Sequence, residues 1–437
     1  MKFRHFALPL ALLLLAGCGA PAAESPSPSA ALSESAAPTE QPSSPSISVT
    51  THWDVLTDNA AEAPRRWPGC SDDLVPRGDY GQLVPYLGGE ANAQYWGGSG
   101  YWGLATRDGT LVTDPVFLEI NVLSYYDAER QRTGHQPVLI LRKGEKNADG
   151  TLSSLYGVAA ADGSWYTGLK YSALVTQSSA GIFLLEKNGD AVMLAPDGQE
   201  RWRWAAGEIP LETLTPQDYF WDYSSIGQWM QCVVSWNENG TADLRYVDLL
   251  TGEVTDTVPD VYDPDAQFGS NYDENAVYYG EGWYECDEDE HTLTIHPDGG
   301  SVHTIDISGY SLYPNIDGDR VIFSLESGGS LITDLDGNVL FRTENYLNFA
   351  WQSYDDTPSL VYYYGEDIAN EDGTYNVTYV VLDRDGNELF TCRDYYLTQF
   401  GDRVIFADDT SYRMTDLAGH DILRLSRWEL LDFPADD

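Results

Sequence analysis

Eight copies of a short strand–turn–strand pattern constrain this 437-residue chain more than any other feature. Each copy turns at a glycine, and in six of them the preceding residue is aspartate. The turn glycines are Gly109, Gly163, Gly198, Gly252, Gly299, Gly337, Gly386 and Gly419. A tight hairpin needs positive φ at its turn residues, which glycine adopts freely and aspartate tolerates. The pattern therefore predicts one β-hairpin at each turn.

The spacing of these turns predicts the architecture. From Gly109 to Gly419 the seven intervals range from 33 to 54 residues and average about 44, the length of one four-stranded propeller blade. Radial repetition also protects sheet edges that a long all-β chain would otherwise expose. We expect an all-β fold, a β-propeller of seven or eight blades. A stack of hairpins without closure, or two smaller propellers, are the alternatives.

Further strands are predicted between the turns. The candidates are Val138–Leu141, Ile182–Leu185, Val233–Trp236, Val321–Phe323 and Val404–Phe406, and the last two lie in identical Gly-Asp-Arg-Val-Ile-Phe frames at 318–323 and 401–406. Four copies carry a large apolar residue four places after the turn glycine: Trp202, Phe341, Phe390 and Leu423. One helical turn is allowed within residues 210–230.

The N-terminus has the features of an export signal. Lys2, Arg4 and His5 form a basic start, an apolar stretch follows, and small residues precede Cys18. The apolar stretch is shorter than the roughly 20 residues of a membrane-spanning helix. Leu15-Ala16-Gly17-Cys18 resembles the lipobox of bacterial lipoproteins. That resemblance implies cleavage before Cys18 and a diacylglyceryl group on it; an ordinary secretory signal is the alternative.

Three segments follow from composition. Residues 1–17 are the predicted signal peptide, and residues 18–50 are the lipidated cysteine with a Ser, Pro and Ala-rich tether, without aromatic side chains and predicted to be disordered. Residues 51–437 are the predicted repeat domain. Gly19 follows the cysteine, where an aspartate would signal retention at the inner membrane in two-membrane bacteria. The sequence therefore does not indicate which membrane leaflet holds the anchor.

Charge excludes some partners. The chain carries a formal charge of −45, which becomes −47 once Lys2 and Arg4 are removed with the signal. Such a surface repels phosphate backbones and anionic lipid headgroups, so we expect no nucleic-acid binding and membrane attachment only through the lipid on Cys18. Strong acidity also favours a soluble monomer.

Two motifs resemble known repeat families. Tyr101–Thr110, with its Trp102-Gly103 pair, and the weaker copy at Tyr156–Ser164 resemble the Trp-Gly (WG) repeats of bacterial surface and lipid-anchored proteins. Leu249–Val254 and Asp197–Trp202 resemble the pyrroloquinoline-quinone-type propeller repeat. Both resemblances imply a β-rich repeat body, and neither implies a reaction.

Motifs of the common hydrolases and nucleotide-binding enzymes are absent from the sequence. His296 and His303 flank a turn; if Asp298 and Gly299 centre it, Thr294 pairs with His303 and both histidines share one face, where a metal is one interpretation and an exposed hairpin the other. The aspartates around Gly337 and Gly386 resemble calcium ligands in spacing, but hairpin turns explain them fully. We therefore predict no metal site, no cofactor and no catalytic residues.

Cysteines and tyrosines complete the candidate residues. Cys70, Cys232, Cys286 and Cys392 permit three disulfide connectivities or none, and their wide spacing favours buried thiols. Tyrosine clusters at Tyr362–Tyr364, Tyr278–Tyr279 and Tyr219–Trp221 suggest a binding face, although alternation sends about half of each cluster to the core. Our expectation is a noncatalytic, extracytoplasmic binding or scaffold module for an envelope protein or glycan. The alternative is a glycan-acting hydrolase with paired channel carboxylates.

Overall fold

The computed structural model describes residues 50–51, 70–89, 101–127, 132–146, 152–211, 223–226, 228–237, 241–261, 277–279, 282–287, 289–310, 314–350, 357–365, 368–369, 375–376, 378–408 and 411–426. All of them belong to one compact unit, residues 47–437. They form strands and turns, with no helix among them. Residues 223–226 and those from Trp229 are strand, and the helical turn predicted within residues 210–230 stays a prediction, because 212–222 and 227 lie outside the described residues.

The first part of the chain forms a two-stranded and a seven-stranded sheet. After β1 (Thr50–Thr51), which belongs to the last sheet, the strands are β2 (Leu83–Gly89), β3 (Tyr101–Thr106), β4 (Glu119–Asp127), β5 (Arg132–Lys146), β6 (Leu152–Ala160), β7 (Tyr171–Ser178), β8 (Gly181–Glu186), β9 (Ala191–Leu194) and β10 (Glu200–Trp204). β2 pairs with β3, and β4 to β10 follow one another in chain order. Every pairing within these two sheets is antiparallel.

The middle of the chain forms three four-stranded antiparallel sheets, again in chain order. They are β11 (Tyr223–Ile226), β12 (Trp229–Trp236), β13 (Ala242–Asp248) and β14 (Val258–Val261); β15 (Val277–Tyr279), β16 (Gly282–Asp287), β17 (Thr292–Pro297) and β18 (His303–Asp306); and β19 (Asn315–Asp317), β20 (Arg320–Ser324), β21 (Ser330–Asp334) and β22 (Val339–Thr343). Such successive four-stranded meanders are the blades of a β-propeller.

The last part forms an eight-stranded sheet. Its strands are β23 (Leu347–Phe349), β24 (Val361–Tyr364), β27 (Thr378–Leu382), β28 (Glu388–Phe400), β29 (Arg403–Ala407), β30 (Ser411–Thr415) and β31 (Asp421–Ser426), with β1 parallel to β31 at the edge; β25 (Ile368–Ala369) and β26 (Tyr375–Asn376) pair separately. The register of β28 against β29 breaks between Arg393 and Thr398. β28 therefore serves as the outer strand of one meander and the inner strand of the next.

The first and last sheets pack against each other. One hydrophobic cluster joins Leu83, Leu104 and Phe117 to Ile405 and Leu423, all fully or almost fully buried. Burial of such side chains is the main force that holds successive sheets together. Repetition of antiparallel meanders and contact between the two ends make the body a β-propeller, as the sequence predicts. Seven or eight blades stays a prediction at this point.

Five of the eight turns, those at Gly109, Gly198, Gly337, Gly386 and Gly419, share a geometry that differs from our expectation. In the turn of Asp334 to Asn338, Gly337 N donates to Asp334 O at 3.1 Å, and Asp334 N donates to Asn338 O at 3.2 Å. This is the three-residue hairpin loop with glycine in the left-handed region. Gly337 has φ of 81°, and among the described non-glycine residues only His291 has a positive φ. The aspartate before the glycine is thus not left-handed, because the loop needs positive φ at one residue only.

Seven of the eight turn glycines, all except Gly299, contact a residue of the neighbouring repeat. A Cβ on Gly386 would lie 2.2 Å from Phe341, and one on Gly252 would lie 2.9 Å from Trp202. The corresponding neighbours of the other turns are Tyr80 at Gly163, Trp165 at Gly198, Ile305 at Gly337, Phe390 at Gly419 and the backbone of Ile422 at Gly109. These contacts explain the large residues four places after the turn glycines, since each of Trp202, Phe341 and Phe390 covers the turn glycine of the following repeat.

Candidate functional site

The best candidate site lies where the sheet half ending in β28 meets the half of β29 to β31. Tyr362 and Tyr364 alternate with Tyr363 along β24, and Tyr364 pairs with Tyr379 of β27. Tyr362 and Tyr379 pack toward Cys392 and Phe406, whereas Tyr363 joins a different cluster with Ile322 and Val361. The prediction that alternation splits this tyrosine cluster between two faces is confirmed.

Three of these tyrosines form one group, which we call the tyrosine face: Tyr362, Tyr364 and Tyr379. Their ring centroids lie 5.2 to 5.9 Å apart, with interplanar angles from 45° to 79°. Tyr364 is 46% exposed. Burial, with a smaller contribution from Tyr364, raises the pKa of Tyr362 to about 12. The Tyr362 hydroxyl therefore stays protonated at neutral pH and acts as a hydrogen-bonding group beside an apolar surface.

A charged network lies on β30 and β31, where Arg413 sits over the ring of Phe406, a member of the cluster that Tyr362 and Tyr379 pack against. Arg413 donates through Nε to Asp421 at 2.6 Å, and its Nη1 lies 3.7 Å from Asp408. Ser411 Oγ donates to Asp408 at 2.9 Å, and Arg424 Nε donates to Ser411 Oγ at 3.1 Å. Charged groups held in this way are oriented in advance for a polar ligand.

Cys392 connects the two parts of the site. It pairs with Tyr379 across β27 and β28, and its thiol is nearly fully buried. Burial raises the pKa of Cys392 to about 12; Asp408 adds to the shift and Arg413 opposes it. Because the thiolate is the nucleophilic form, this cysteine is unsuited to covalent catalysis at neutral pH.

The other cysteines fit the buried-thiol prediction in part. Burial raises the pKa of Cys232 to about 12, and burial together with Asp114 raises that of Cys70 to about 11. Cys70, Cys232 and Cys392 are not in disulfides. Cys286 lies in β16 opposite Leu293.

The histidine prediction is wrong in register. Thr294 pairs with Thr304, and His303 pairs with Ile295. The turn closes with Gly300 N donating to Pro297 O at 3.3 Å, so Gly300 adds one residue to the return and moves β18 by one place. His296 and His303 therefore lie on opposite faces. His296 stacks on Trp283 at 3.7 Å, and His303 Nδ1 lies 2.8 Å from Asp336.

The aspartates with calcium-like spacing hold their own turns. The Asp334 carboxylate accepts hydrogen bonds from the backbone N–H groups of Asp336 and Asn338 and from the Asn338 side chain, all at 2.9 to 3.0 Å. Asp383 has the same three contacts with Asp385 and Asn387. Within the described part of the chain, no three His, Cys, Asp or Glu side chains are grouped so that they could hold a metal ion.

Several predicted residues lie outside what the structure describes. Cys18, the rest of residues 1–49, and the cluster Tyr219–Trp221 are among them, and Tyr278 and Tyr279 are described only as backbone of β15. Over the described residues, no helix has the length and apolar character needed to cross a bilayer. The Asp408–Arg413–Asp421 network was not predicted; the acidic and basic residues that alternate near Gly419 were its only trace in the sequence.

No protein-family model matches the chain, and no curated protein is significantly similar to it. Solved structures with a similar local arrangement include BamB from Moraxella catarrhalis, 15% identical over 65% of this chain and 87% of its own, with a TM-score of 0.21. Quinohemoprotein alcohol dehydrogenase ADHIIG from Pseudomonas putida HK5 is 10% identical over 70% and 68%, with a TM-score of 0.26. PorZ, a surface component of the type-IX secretion system of Porphyromonas gingivalis, is 10% identical over 74% and 40%, with a TM-score of 0.24. At these TM-scores the similarities carry no inference about function.

Proposed function

We propose that this protein is a lipid-anchored, extracytoplasmic β-propeller that binds a protein or glycan of the cell envelope without catalysing a reaction. The tyrosine face carries the proposal. It combines an exposed aromatic ring with tyrosine hydroxyls, and the cluster beneath it connects through Phe406 to a network of oriented charges; together these suit recognition of a polar partner.

The acidity of the groups in the body supports binding over hydrolysis. A glycosidase needs a carboxylic acid whose pKa is raised so that it can donate a proton. Among the described carboxyl groups with a clear shift, every pKa is lowered; hydrogen bonds from Thr106 and Ser164 are the main cause at Asp108 and Asp162. Such carboxylates stay charged at neutral pH and serve as hydrogen-bond acceptors.

We also propose that the ring has eight blades. Counted by turn glycine, the repeats begin with Gly109 and end with Gly419, and Gly109 in turn contacts Ile422 of the last sheet. Each step around this circuit joins one turn glycine to the repeat before it, except at Gly299, whose Cβ position has no neighbour within 4 Å among the described residues. The eight turn glycines support eight blades over seven.

The anchor is tested at Cys18. Replacing Cys18 by serine removes the thiol that the lipid needs, so we expect loss of metabolic labelling with a radioactive fatty acid and release of the protein from membranes. A Cys70→Ser variant is the matched control and should stay labelled and membrane-bound. Labelling of the Cys18→Ser protein would contradict the anchor.

Binding is tested with the soluble body, residues 51–437, against purified envelope glycans and envelope proteins. We expect Tyr364→Ala to weaken capture of whichever component binds by about tenfold, the loss of roughly 1.4 kcal/mol from one aromatic contact. Tyr346, 60% exposed and outside the tyrosine face, supplies the control variant Tyr346→Ala. Equal capture by both variants would place the binding surface elsewhere, and turnover of a glycan would contradict the noncatalytic proposal.

A further inference from the structure

One contact between two turns occurs twice in this protein, and the two turns that meet have the same sequences in both places. The frame Gly-Asp-Arg-Val-Ile-Phe occurs at 318–323 and at 401–406, where it forms the turns before β20 and β29. The turn that each one faces is also repeated, as Arg-Asp-Gly at 384–386 and at 107–109. Neither pair of turns belongs to the tyrosine face.

In the first pair, Arg320 ties its own turn to the next sheet. Its Nε donates to the carbonyl of Arg384 at 3.3 Å, and its Nη1 donates to the carbonyl and carboxylate of Asp319 at 3.1 and 2.6 Å. Arg384 returns a contact from its Nη2 to Asp319 at 3.0 Å. Backbone and side chain of both turns are thereby linked.

The second pair repeats these contacts atom for atom. Arg403 Nε donates to the carbonyl of Arg107 at 3.1 Å, and Arg403 Nη1 donates to the carbonyl of Asp402 at 3.0 Å and contacts its carboxylate at 2.8 Å. Arg107 Nη2 contacts the Asp402 carboxylate. Arg403 is mostly buried, with 15% of its side chain exposed.

The pairs differ in their surroundings. Arg384 is also held by Asp317 at 2.7 Å, and Arg320 by Asp385 at 2.8 Å. Phe400 stands where Asp317 would be in the second frame, and it belongs to the hydrophobic cluster between the two ends of the ring. Arg107 is 46% exposed whereas Arg384 is 17% exposed, and Asp402 is 36% exposed, so salt screens the ion pair of Arg107 and Asp402.

Position in the chain separates the two pairs further. The first joins residues 64 to 67 apart, and the second joins residues 295 or 296 apart. The entropic cost of holding a loop closed rises with its length, and this ratio of lengths corresponds to a factor of about ten in the closing equilibrium. The second pair therefore lies where the ring is easiest to open.

We propose that the turn at Gly401–Arg403 and the turn at Arg107–Gly109 form an ion-pair latch that closes the propeller ring, and that this latch sets how often the ring opens between its first and last sheets. Hydrophobic burial across the same contact is non-directional, whereas the latch fixes which turn meets which. The pair at Arg320 is its internal copy and has no such role, because the chain already keeps those sheets close.

Hydrogen exchange on the full chain, purified in detergent, tests the latch. Arg403→Gln should raise the exchange rate of backbone amides in Leu83–Gly89 by about tenfold through more frequent opening, since the rate of exchange follows the open fraction. Arg320→Gln is the matched control. It should leave Leu83–Gly89 at the wild-type rate and affect only amides around Arg320–Ser324.

A milder variant guards against misfolding of the first. Arg107→Gln removes only the exposed partner and should raise exchange in Leu83–Gly89 by about threefold, an effect that about 1 M salt in the wild-type protein should reproduce. Equal exchange in Leu83–Gly89 for Arg107→Gln, Arg320→Gln and wild type would overturn the latch. Because no ligand is involved, this outcome is independent of whether the tyrosine face binds a partner.

Discussion

Two Asp-Gly turns with the same backbone requirement have different surroundings. Gly386 has φ of 89°, and a Cβ there would lie 2.2 Å from the Phe341 ring. Gly299 has φ of 74°, and apart from its own chain neighbours no atom of the described residues lies within 4 Å of the same position. Positive φ explains the glycine at both turns, but only the first turn also needs glycine so that the preceding sheet can approach. The Asp-Gly signal thus indicates a turn and does not by itself indicate a contact between sheets.

Alanine substitution at these two glycines should separate the two requirements. Gly386→Ala adds left-handed strain of about 1–2 kcal/mol to overpacking of about 1–3 kcal/mol against Phe341. Gly299→Ala adds the strain alone. We expect the free energy of unfolding, measured with urea, to fall about twice as far in the first variant. Equal losses would mean that Phe341 moves aside without cost.

The turn carboxylates give a smaller effect. Asp334→Ala removes three hydrogen bonds within the turn and should lower the free energy of unfolding by about 1–1.5 kcal/mol. Glu326→Ala, at an exposed position in the neighbouring turn of the same sheet, is the control and should change it by less than about 0.5 kcal/mol.

The pH dependence of that effect has a definite sign. The hydrogen bond from the Asn338 side chain, with further help from backbone N–H groups, lowers the pKa of Asp334 below its ordinary value of 3.8. A lowered pKa in the folded state contributes stability above the unfolded value, and this contribution disappears as pH falls through the folded value. The difference between wild type and Asp334→Ala should therefore be constant from pH 5 to 7 and shrink below about pH 4. A difference that persists at about pH 2 would show that the charge of Asp334 is not involved.

Much of the fold was predictable because the repeat is written in residues with strong local preferences. The strands at Val138–Leu141, Ile182–Leu185, Val233–Trp236, Val321–Phe323 and Val404–Phe406 are confirmed as parts of β5, β8, β12, β20 and β29. Glycine marks the turns reliably, since few other residues take positive φ. Details of register were less predictable, because the single extra residue Gly300 moves His303 to the opposite face.

The candidate site was predictable only in Tyr362 and Tyr364, since Tyr379 was not among the candidate residues. Alternation along β24 predicted that Tyr362 and Tyr364 share a face, since side chains alternate in any strand. Arg413 and Asp421 belong to β30 and β31, and the sequence alone does not predict that Arg413 lies over Phe406 in the cluster of Tyr362. The repeated Gly-Asp-Arg and Arg-Asp-Gly turns can be found in the sequence. Which of these turns contact each other is known only from the structure.

The contacts between sheets at the glycine turns have a consequence for how such a protein can change. β20 and β21 are joined at the opposite rim by a short turn at Gly328–Gly329, whereas β24 and β27 are separated there by residues 365–377, which include β25 and β26. Both connections nevertheless lead back to glycine turns of the same geometry. The contacts between sheets lie at the rim that carries the glycine turns. Loops at the opposite rim can therefore become longer without altering how the sheets meet. Recognition can therefore diversify on a frame that stays constant.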